Sequence, residues 1–506
     1  MSEKRKPLSP VVICSAIYVL ALLIFSSSTS PLYGSKFLSS DSALFMLFGK
    51  GITLGYTPYV DFFDHKGPIL FFIEALGVSL GRYGVWLLQC LFGIAGISCF
   101  YALWTLLPSA TYTDSVSKSF FVPFLSALSV FMTLFDRGNL TEEFSVPFIA
   151  LSMLLFVKYC VASESEGKHP PLYAFIYGLC FSALAFIRIN NAVSICALIL
   201  VIGVRLLRRR EYANFFANFL CGILGILTVA LPLCLYFYRR DALMEMINGT
   251  FIHNFKYVSS LDNVTPLSFL RSVSGYGLVD LAKEILHSAI VLRYMPLLLS
   301  ALLWLRNLRR IKGSGASLTP LDYGVLLMLV CNLLNLLISS AFPHYFAISV
   351  PVFLFSALCY GDFAATGRKK TITVLVLLCF GVYNLGNLYS ISRGYRIYRA
   401  ERTVVEADLE QIPADERTAV IGFDIPTRFY LYADLFPCYK YCVNQSWFSE
   451  ANTQVNEDFL AFLKSDKPKW LLTNPDIGND AVAQIAQDDY SLILEDEYIR
   501  IYRLAE

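Results

Sequence analysis

Several short stretches of this chain carry ionisable side chains at the edges of long apolar runs. The first holds Asp41, then Gly55-Tyr56-Thr57-Pro58-Tyr59-Val60-Asp61, then Asp64-His65-Lys66-Gly67-Pro68. The second is Asp136 through Glu143, with adjacent carboxylates at Glu142 and Glu143. Arg188, Asn190 and Asn191 end one apolar run, and His344 and Tyr345 start another. Arginine is suited to bidentate contact with phosphate oxygens. Charge at membrane depth is costly and is usually retained for function. Ionisable groups gathered at a lipid boundary therefore mark a candidate functional site.

Each residue also has a plainer reading. Asp41 follows Ser39 and Ser40 at the head of an apolar helix, where N-caps occur. Asp61 and Asp64 suit turns, and Lys66 can snorkel to a lipid headgroup. Asn139 with Glu142 three residues on has the spacing of a capping box. Arg188 can snorkel, and Tyr345 fits an aromatic belt.

The elements that must position these groups are membrane helices. The chain has 506 residues, of which 56% are hydrophobic and only 16% charged. A soluble protein of this length carries about 25% charge. The net charge of +2 implies no pull on nucleic acid. Of 13 cysteines, all but Cys438 and Cys442 lie in apolar segments, where cysteine behaves as a small hydrophobe. A Cys438–Cys442 bond would need a turn between them.

Apolar runs long enough to span cover 9–27, 84–107, 118–135, 143–162, 172–188, 191–207, 214–238, 286–305, 321–341, 344–364 and 371–391. The expected fold is thus an all-α polytopic membrane protein of about eleven transmembrane helices (an estimate from run length), the first uncleaved. Basic clusters at Lys4–Lys6, Arg205–Arg210, Arg306–Lys312 and Arg368–Lys370 then share the cytoplasmic side. The ionisable stretches listed above fall on the opposite, extracytoplasmic side. The short apolar run Pro68–Leu80 is read as lying flat on that outer surface, because a spanning role would invert the charge bias.

Beyond residue 392 the composition changes. Residues 393–506 are charged, with short strands expected at Ala419–Gly422, Lys440–Val443, Lys469–Leu472 and Ser491–Leu494. Helices are expected at Asp424–Leu435, Asn456–Lys464 and Asp480–Asp489. The division is a membrane domain over 1–392 and a small extracytoplasmic α/β domain over 393–506.

The first loop resembles the opening signature of the GT-C superfamily of integral membrane glycosyltransferases, and within it bacterial family-39-like enzymes of the lipopolysaccharide glycosyltransferase type. That signature is an acid, an aromatic-rich helix, a Gly-x-x-Pro-Tyr-x-Asp turn and a Lys-Pro-Pro or Lys-Gly-Pro step. Here it reads Asp41, Phe45, Gly55 to Asp61, and Lys66-Gly67-Pro68. Gly138 to Glu143, Arg188 with Asn190, and Pro343-His344-Tyr345 look like further shared elements. The resemblance covers about residues 10–392. Ser42 stands where many relatives have a second acid, which removes an adjacent acid pair from consideration.

The resemblance implies inverting transfer of one sugar from a polyprenyl-phosphate donor to an acceptor hydroxyl of an envelope glycan, lipid or protein. It places the chain in a bacterial cell membrane, with the chemistry outside. Asp41 is then the candidate general base. Lys66, Arg188 and His344 are candidates to hold the donor phosphate. Asp61, Glu142 and Glu143 are candidates to orient the acceptor, and Asp61 or Glu142 alternatively to hold Lys66. His65, Asn190 and Tyr345 line the cavity. Members of the superfamily differ in needing a divalent metal, and no decisive ligand set marks one here. The competing classes are a transporter or flippase, and an O-antigen-type polymerase or ligase. The first predicts mid-bilayer charge and internal repeats, and neither is found. The second predicts arginine-rich outer loops.

Overall fold

A computed structural model describes residues 10–34, 39–107, 137–162, 168–254, 277, 290–338, 343–360 and 368–505. The chain divides into two compact units. One comprises Met1–Ser26, Leu88–Cys234 and Asp262–Leu388; the other comprises Ser27–Leu87, Leu235–Leu261 and Tyr389–Glu506.

The helices in chain order begin with α1 (Pro10–Phe25), α2 (Ser40–Thr53), α3 (Pro68–Ser79) and α4 (Gly84–Leu106). There follow α5 (Thr141–Ala162), α6 (Pro171–Arg188), α7 (Val193–Arg208), α8 (Tyr212–Tyr238) and the short α9 (Leu243–Ile247). Next come α10 (Ile290–Ser314), α11 (Pro320–Ile338), α12 (Ser349–Tyr360) and α13 (Arg368–Leu409). Every expected span that falls on described residues is helical; the run at 118–135 lies outside them. Among the described residues, five helical stretches are long and apolar enough to cross a membrane: Gly84–Leu106, Thr141–Ala162, Pro171–Arg208, Tyr212–Tyr238 and Pro320–Leu337. The chain is a multi-pass membrane protein. The flanks of α8 are bare: Phe216, Phe219, Leu220, Leu224 and Leu231 are all exposed, as lipid-facing side chains are in the absence of water as the alternative solvent.

In the first unit α5 packs on α6, α7 on α11, and α10 on α12. The loop between α5 and α6 is tied down by His169. Its backbone N–H donates to Asn214 Oδ1 at 2.9 Å, and its carbonyl accepts from the side-chain amides of Asn214 and Asn218. In the first turn of α11, Asp322 accepts from Asn307, Tyr360, and the Thr319 backbone and hydroxyl, at 2.6–2.8 Å. That fourfold satisfaction is what a buried carboxylate requires.

The second unit is built on the α2–α3 hairpin. The two helices cross at Gly49, where a Cβ would lie 2.6 Å from the Glu74 carbonyl carbon. Phe48 stacks on Phe62 at 4.4 Å and meets Phe71 edge-on at 5.4 Å. Residues from the C-terminal part of the chain complete this core. Phe436 stacks on Tyr56 at 4.3 Å, Lys50 pairs with Asp434 at 2.7 Å, and the Phe63 N–H donates to the Lys440 carbonyl.

Helix α13 runs 42 residues, roughly 63 Å at 1.5 Å per residue, about twice a hydrocarbon core. It continues without a break through residue 393 into charged sequence. Beyond it lie β1 (Val420–Phe423), α14 (Arg428–Tyr432), α15 (Gln445–Ala451), α16 (Gln454–Ser465), β2 (Trp470–Thr473), α17 (Asp480–Asp489), β3 (Tyr490–Glu495) and β4 (Arg500–Leu504). The sheet order is β1-β2-β4-β3, with β1 parallel to β2 and the other pairs antiparallel. β1 and β2 are buried throughout, as parallel strands covered on both faces must be.

Two sequence expectations differ here. Lys440–Val443 forms no strand. Pro437, which lacks a ladder donor, makes only an isolated bridge to Val420. The backbone beyond it is engaged elsewhere: Lys440 O accepts from Phe63 N–H and Cys442 O from Tyr430. The helix expected over Asp424–Leu435 shrinks to Arg428–Tyr432, because Asp424 (φ 49°) and Asp434 (φ 57°) are left-handed and bracket it. Cys438 and Cys442 are both free thiols.

Candidate active site

In the second unit the cap of α2 is Ser39, whose hydroxyl accepts from the Ser42 N–H at 3.4 Å. Asp41 therefore sits one step inside the helix, in its first turn, and not at the cap position. Its side chain is half-buried.

The turn after α2 is strained. Tyr59 is buried at φ 70°, a conformation that a bulky residue adopts only when its surroundings enforce it. Its contacts hold it there. Its hydroxyl donates to the Lys66 carbonyl at 2.7 Å and accepts from Thr250 at 3.1 Å. Its ring packs against Phe71 and Phe237. The tyrosine thus clamps the peptide that carries Lys66, immediately before Pro68 opens α3.

Asp61 behaves as a turn residue, accepting from the Thr57 N–H at 2.6 Å. The carboxylate that meets Lys66 is Asp64, where the sequence pointed to Asp61 or Glu142. Asp64 is 1% exposed and Lys66 6%. Asp64 lies 3.4 Å from Lys66 Nζ and 2.8 Å from His65 Nδ1, and accepts from the His65 N–H at 2.6 Å. Burial opposes its charge, but the Lys66 ammonium, the His65 ring and that N–H outweigh it and hold the carboxyl well below its ordinary range. Lys66 Nζ in turn sits 5.3 Å from the Phe45 ring centroid. Phe45 is one helical turn after Asp41, so the two share a face of α2. The ammonium and the Asp41 carboxylate therefore border the same stretch of that helix.

Two further groups in this unit were not singled out from sequence. His253 ends a π-helical turn, Asn248–Ile252, and its ring lies 6.3 Å from that of His65. Trp447 of α15 lies 5.9 Å from His65. The available signal for Asp64 was three consecutive ionisable residues inside an apolar context; His253 and Trp447 had none.

The first unit holds its own cluster. Three consecutive residues, Arg137 (φ 67°), Gly138 (φ 82°) and Asn139 (φ 66°), are left-handed just before α5. This turn fixes the two glutamates differently. Glu143, not Glu142, reaches back to the chain before the helix: its Oε2 accepts from the Asn139 N–H at 3.1 Å and from Gln89 Nε2 at 2.6 Å. The capping-box spacing of Asn139 and Glu142 is thus displaced by one residue. Glu142 instead pairs with Arg188 at 3.0 Å, both side chains largely buried. The Arg188 guanidinium lies 3.5 Å from the Tyr345 ring centroid, a stacked cation–π contact. The His344 ring meets that of Tyr345 edge-on at 4.5 Å. Asn191 donates to Ser145, and Asn190 is half-buried on the 3₁₀ turn Ile189–Ala192. Glu142, Arg188, His344 and Tyr345 are thus brought together, from three separate stretches of sequence. Among the described residues no group of three or more His, Cys, Asp or Glu side chains is placed to hold a metal ion.

Known structures share this architecture. ArnT from Cupriavidus metallidurans in the apo state matches with a TM-score of 0.53 at 12% identity, covering 97% of each chain. The same protein bound to undecaprenyl phosphate matches at 0.51 and 14% identity, again over 97% of each chain. The archaeal oligosaccharyltransferase AglB from Archaeoglobus fulgidus, in complex with an inhibitory peptide and a dolichol-phosphate, gives 0.47 at 12% identity, covering 97% of this chain and 74% of its own. No curated protein sequence matches. At these identities the likeness is one of fold alone, and the fold is that seen in ArnT. The family model described as the putative competence-induced protein Ccs4 N-terminal domain matches residues 3–296, more than half of the chain, and the protein belongs to that family.

Proposed function

We propose that this protein is a membrane glycosyltransferase that moves one sugar from a polyprenyl-phosphate carrier to an acceptor hydroxyl of an envelope glycan, lipid or protein, with inversion, on the extracytoplasmic face. One observation carries the reading. Lys66, held by Asp64 and the Tyr59 clamp, lies over Phe45, on the face of α2 that Asp41 heads. This supports pairing Asp41 as candidate proton acceptor with Lys66 as candidate phosphate ligand, since Phe45 stands one turn after Asp41 on α2. The ArnT fold, seen with undecaprenyl phosphate bound in that protein, supports the donor class.

The step is a single displacement. Asp41 takes the proton of the acceptor hydroxyl as its oxygen attacks the anomeric carbon. The bond from that carbon to the phosphate oxygen breaks, and its electron pair leaves with the lipid phosphate. Lys66 stabilises the charge gained. In the first unit, Arg188, whose guanidinium lies over the Tyr345 ring, is proposed in its own right as a phosphate-binding residue.

Asp41→Asn tests this. Transfer from undecaprenyl-phosphate sugars, assayed in membranes, should fall about 10²–10⁴-fold, the usual contribution of a general base. Expression and thermal unfolding should match wild type. Full activity in that variant excludes Asp41 as the base.

A further inference from the structure

We infer that Trp447 is the stacking platform for a pyranose ring of the acceptor, so that the C-terminal part of the chain selects the acceptor glycan; this rests on the transferase reading above. Trp447 is half-exposed, while the next residue, Phe448, is buried. The two rings meet at 4.9 Å, and Phe448 in turn packs edge-on against Phe63 and His253 at 5.6 and 5.8 Å. The indole, with the partly buried Phe63, therefore edges a cluster whose other rings, Phe448, His65 and His253, are buried. Beside it are polar groups: His65 at 5.9 Å between ring centroids, with Asp64 and Lys66 behind it, and His253 6.3 Å further on.

A flat apolar surface bordered by a few convergent polar groups is the recognition chemistry of a ligand with one apolar face and a polar rim. A pyranose has that shape: axial C–H bonds on one face, hydroxyls around its edge. The donor is positioned by its own lipid tail. The sugar ring of the acceptor must still be oriented at the reacting carbon, which a surface supplied by the protein would do.

The platform is rigid. α15 starts after Asn444 at φ 52°. Gln445 then locks its first turn, donating to the carbonyls of Gly422 and Tyr441 and accepting from the Asp424 N–H. The Phe63 N–H to Lys440 carbonyl bond holds the same stretch of chain against the loop that carries His65. A side chain placed by so many backbone contacts loses little freedom on binding.

The test uses the full-length protein, a panel of undecaprenyl-phosphate pyranoses as donors, and detergent extract of membranes from cells lacking the gene as acceptor. Trp447→Phe keeps a flat ring, Trp447→Leu keeps apolar bulk, and Trp447→Ala keeps neither. The apparent KM for acceptor extract should rise about tenfold in the Leu and Ala variants, as expected when a contact equal in ground and transition states is removed. It should stay within about threefold of wild type in the Phe variant, with the donor KM and kcat unchanged throughout. Equal acceptor KM in all three variants and wild type, or a Leu variant as good as Phe, overturns the platform while leaving the transferase reading in place. A wild type that neither transfers sugar nor releases undecaprenyl phosphate overturns both.

Discussion

Asp64→Asn isolates the pair that sets Lys66. At 3.4 Å in an effective dielectric of about 20, the Coulomb attraction is roughly 5 kcal/mol. Removing one partner of such a buried pair leaves an uncompensated charge and costs about 3–5 kcal/mol. Lys66→Met should cost a similar amount for the complementary reason. The double variant should cost less than the sum, with a coupling of about 0.5–3 kcal/mol. Urea unfolding of the purified protein in detergent measures the stability arm, and transfer from undecaprenyl-phosphate sugars the activity arm. Because the Asp64 carboxyl is held below its usual value, its contribution is present above the unfolded carboxyl pKa of about 3.9. It is lost only as pH falls below that toward the lower folded value. The Asp64→Asn deficit should therefore be constant from about pH 5 to 8. Strict additivity of the two single variants, or a deficit that titrates near neutrality, refutes the pairing.

Two further expectations concern the first unit. Arg188→Ala should raise the apparent donor KM more than the acceptor KM, and Arg188→Lys should not rescue it, since lysine supplies neither the planar fork nor the stack on Tyr345; an unchanged donor KM in steady-state assays removes Arg188 from phosphate binding. Gly138→Ala places a Cβ against Ser26 at φ 82°, 2.7 Å from its Cβ, and should cost more than about 1 kcal/mol in unfolding free energy. A neutral effect on the urea midpoint would show that the turn relaxes freely.

The sequence was legible where one physical rule dominates. Apolar length located the helices, because lipid leaves few alternatives for the backbone. Asp480–Asp489 was found to the residue, since Asn479 caps its first N–H groups. Local spacing misled where two acceptors compete for one donor. Ser39 and Asp41 both suit the cap of α2, and Glu142 and Glu143 both suit the return to Asn139; contacts of Ser39 with Ser28 and of Glu143 with Gln89 favour the residue observed in each case. Glu143 is drawn back because Gln89, more than fifty residues earlier in the chain, binds the same oxygen. β4 was overlooked because Arg500–Leu504 alternates weakly and is a strand only by virtue of its neighbours β2 and β3. Trp447 and His253 carry no local signal at all, since what distinguishes them is proximity to His65.

The pairing pattern also separates roles among the carboxylates. A good general base has a pKa near the working pH, and an acid held far below it by an ammonium is a poor proton acceptor. Asp64 is such an acid, tied to Lys66 and His65 and driven down by them. Its value lies in orienting the lysine. Asp61 is occupied by the Thr57 N–H and Glu142 by Arg188. Asp41 is half-buried in the first turn of α2, lies one turn from the ring beneath the lysine, and is the residue proposed to take the proton. If Asp64→Asn and Asp41→Asn both lower transfer, this division predicts distinct signatures. The Asp64 variant should lose donor affinity through a displaced Lys66, and the Asp41 variant should lose kcat with donor affinity intact. Loss of kcat alone in both would make Asp64 part of the proton path and reverse the assignment.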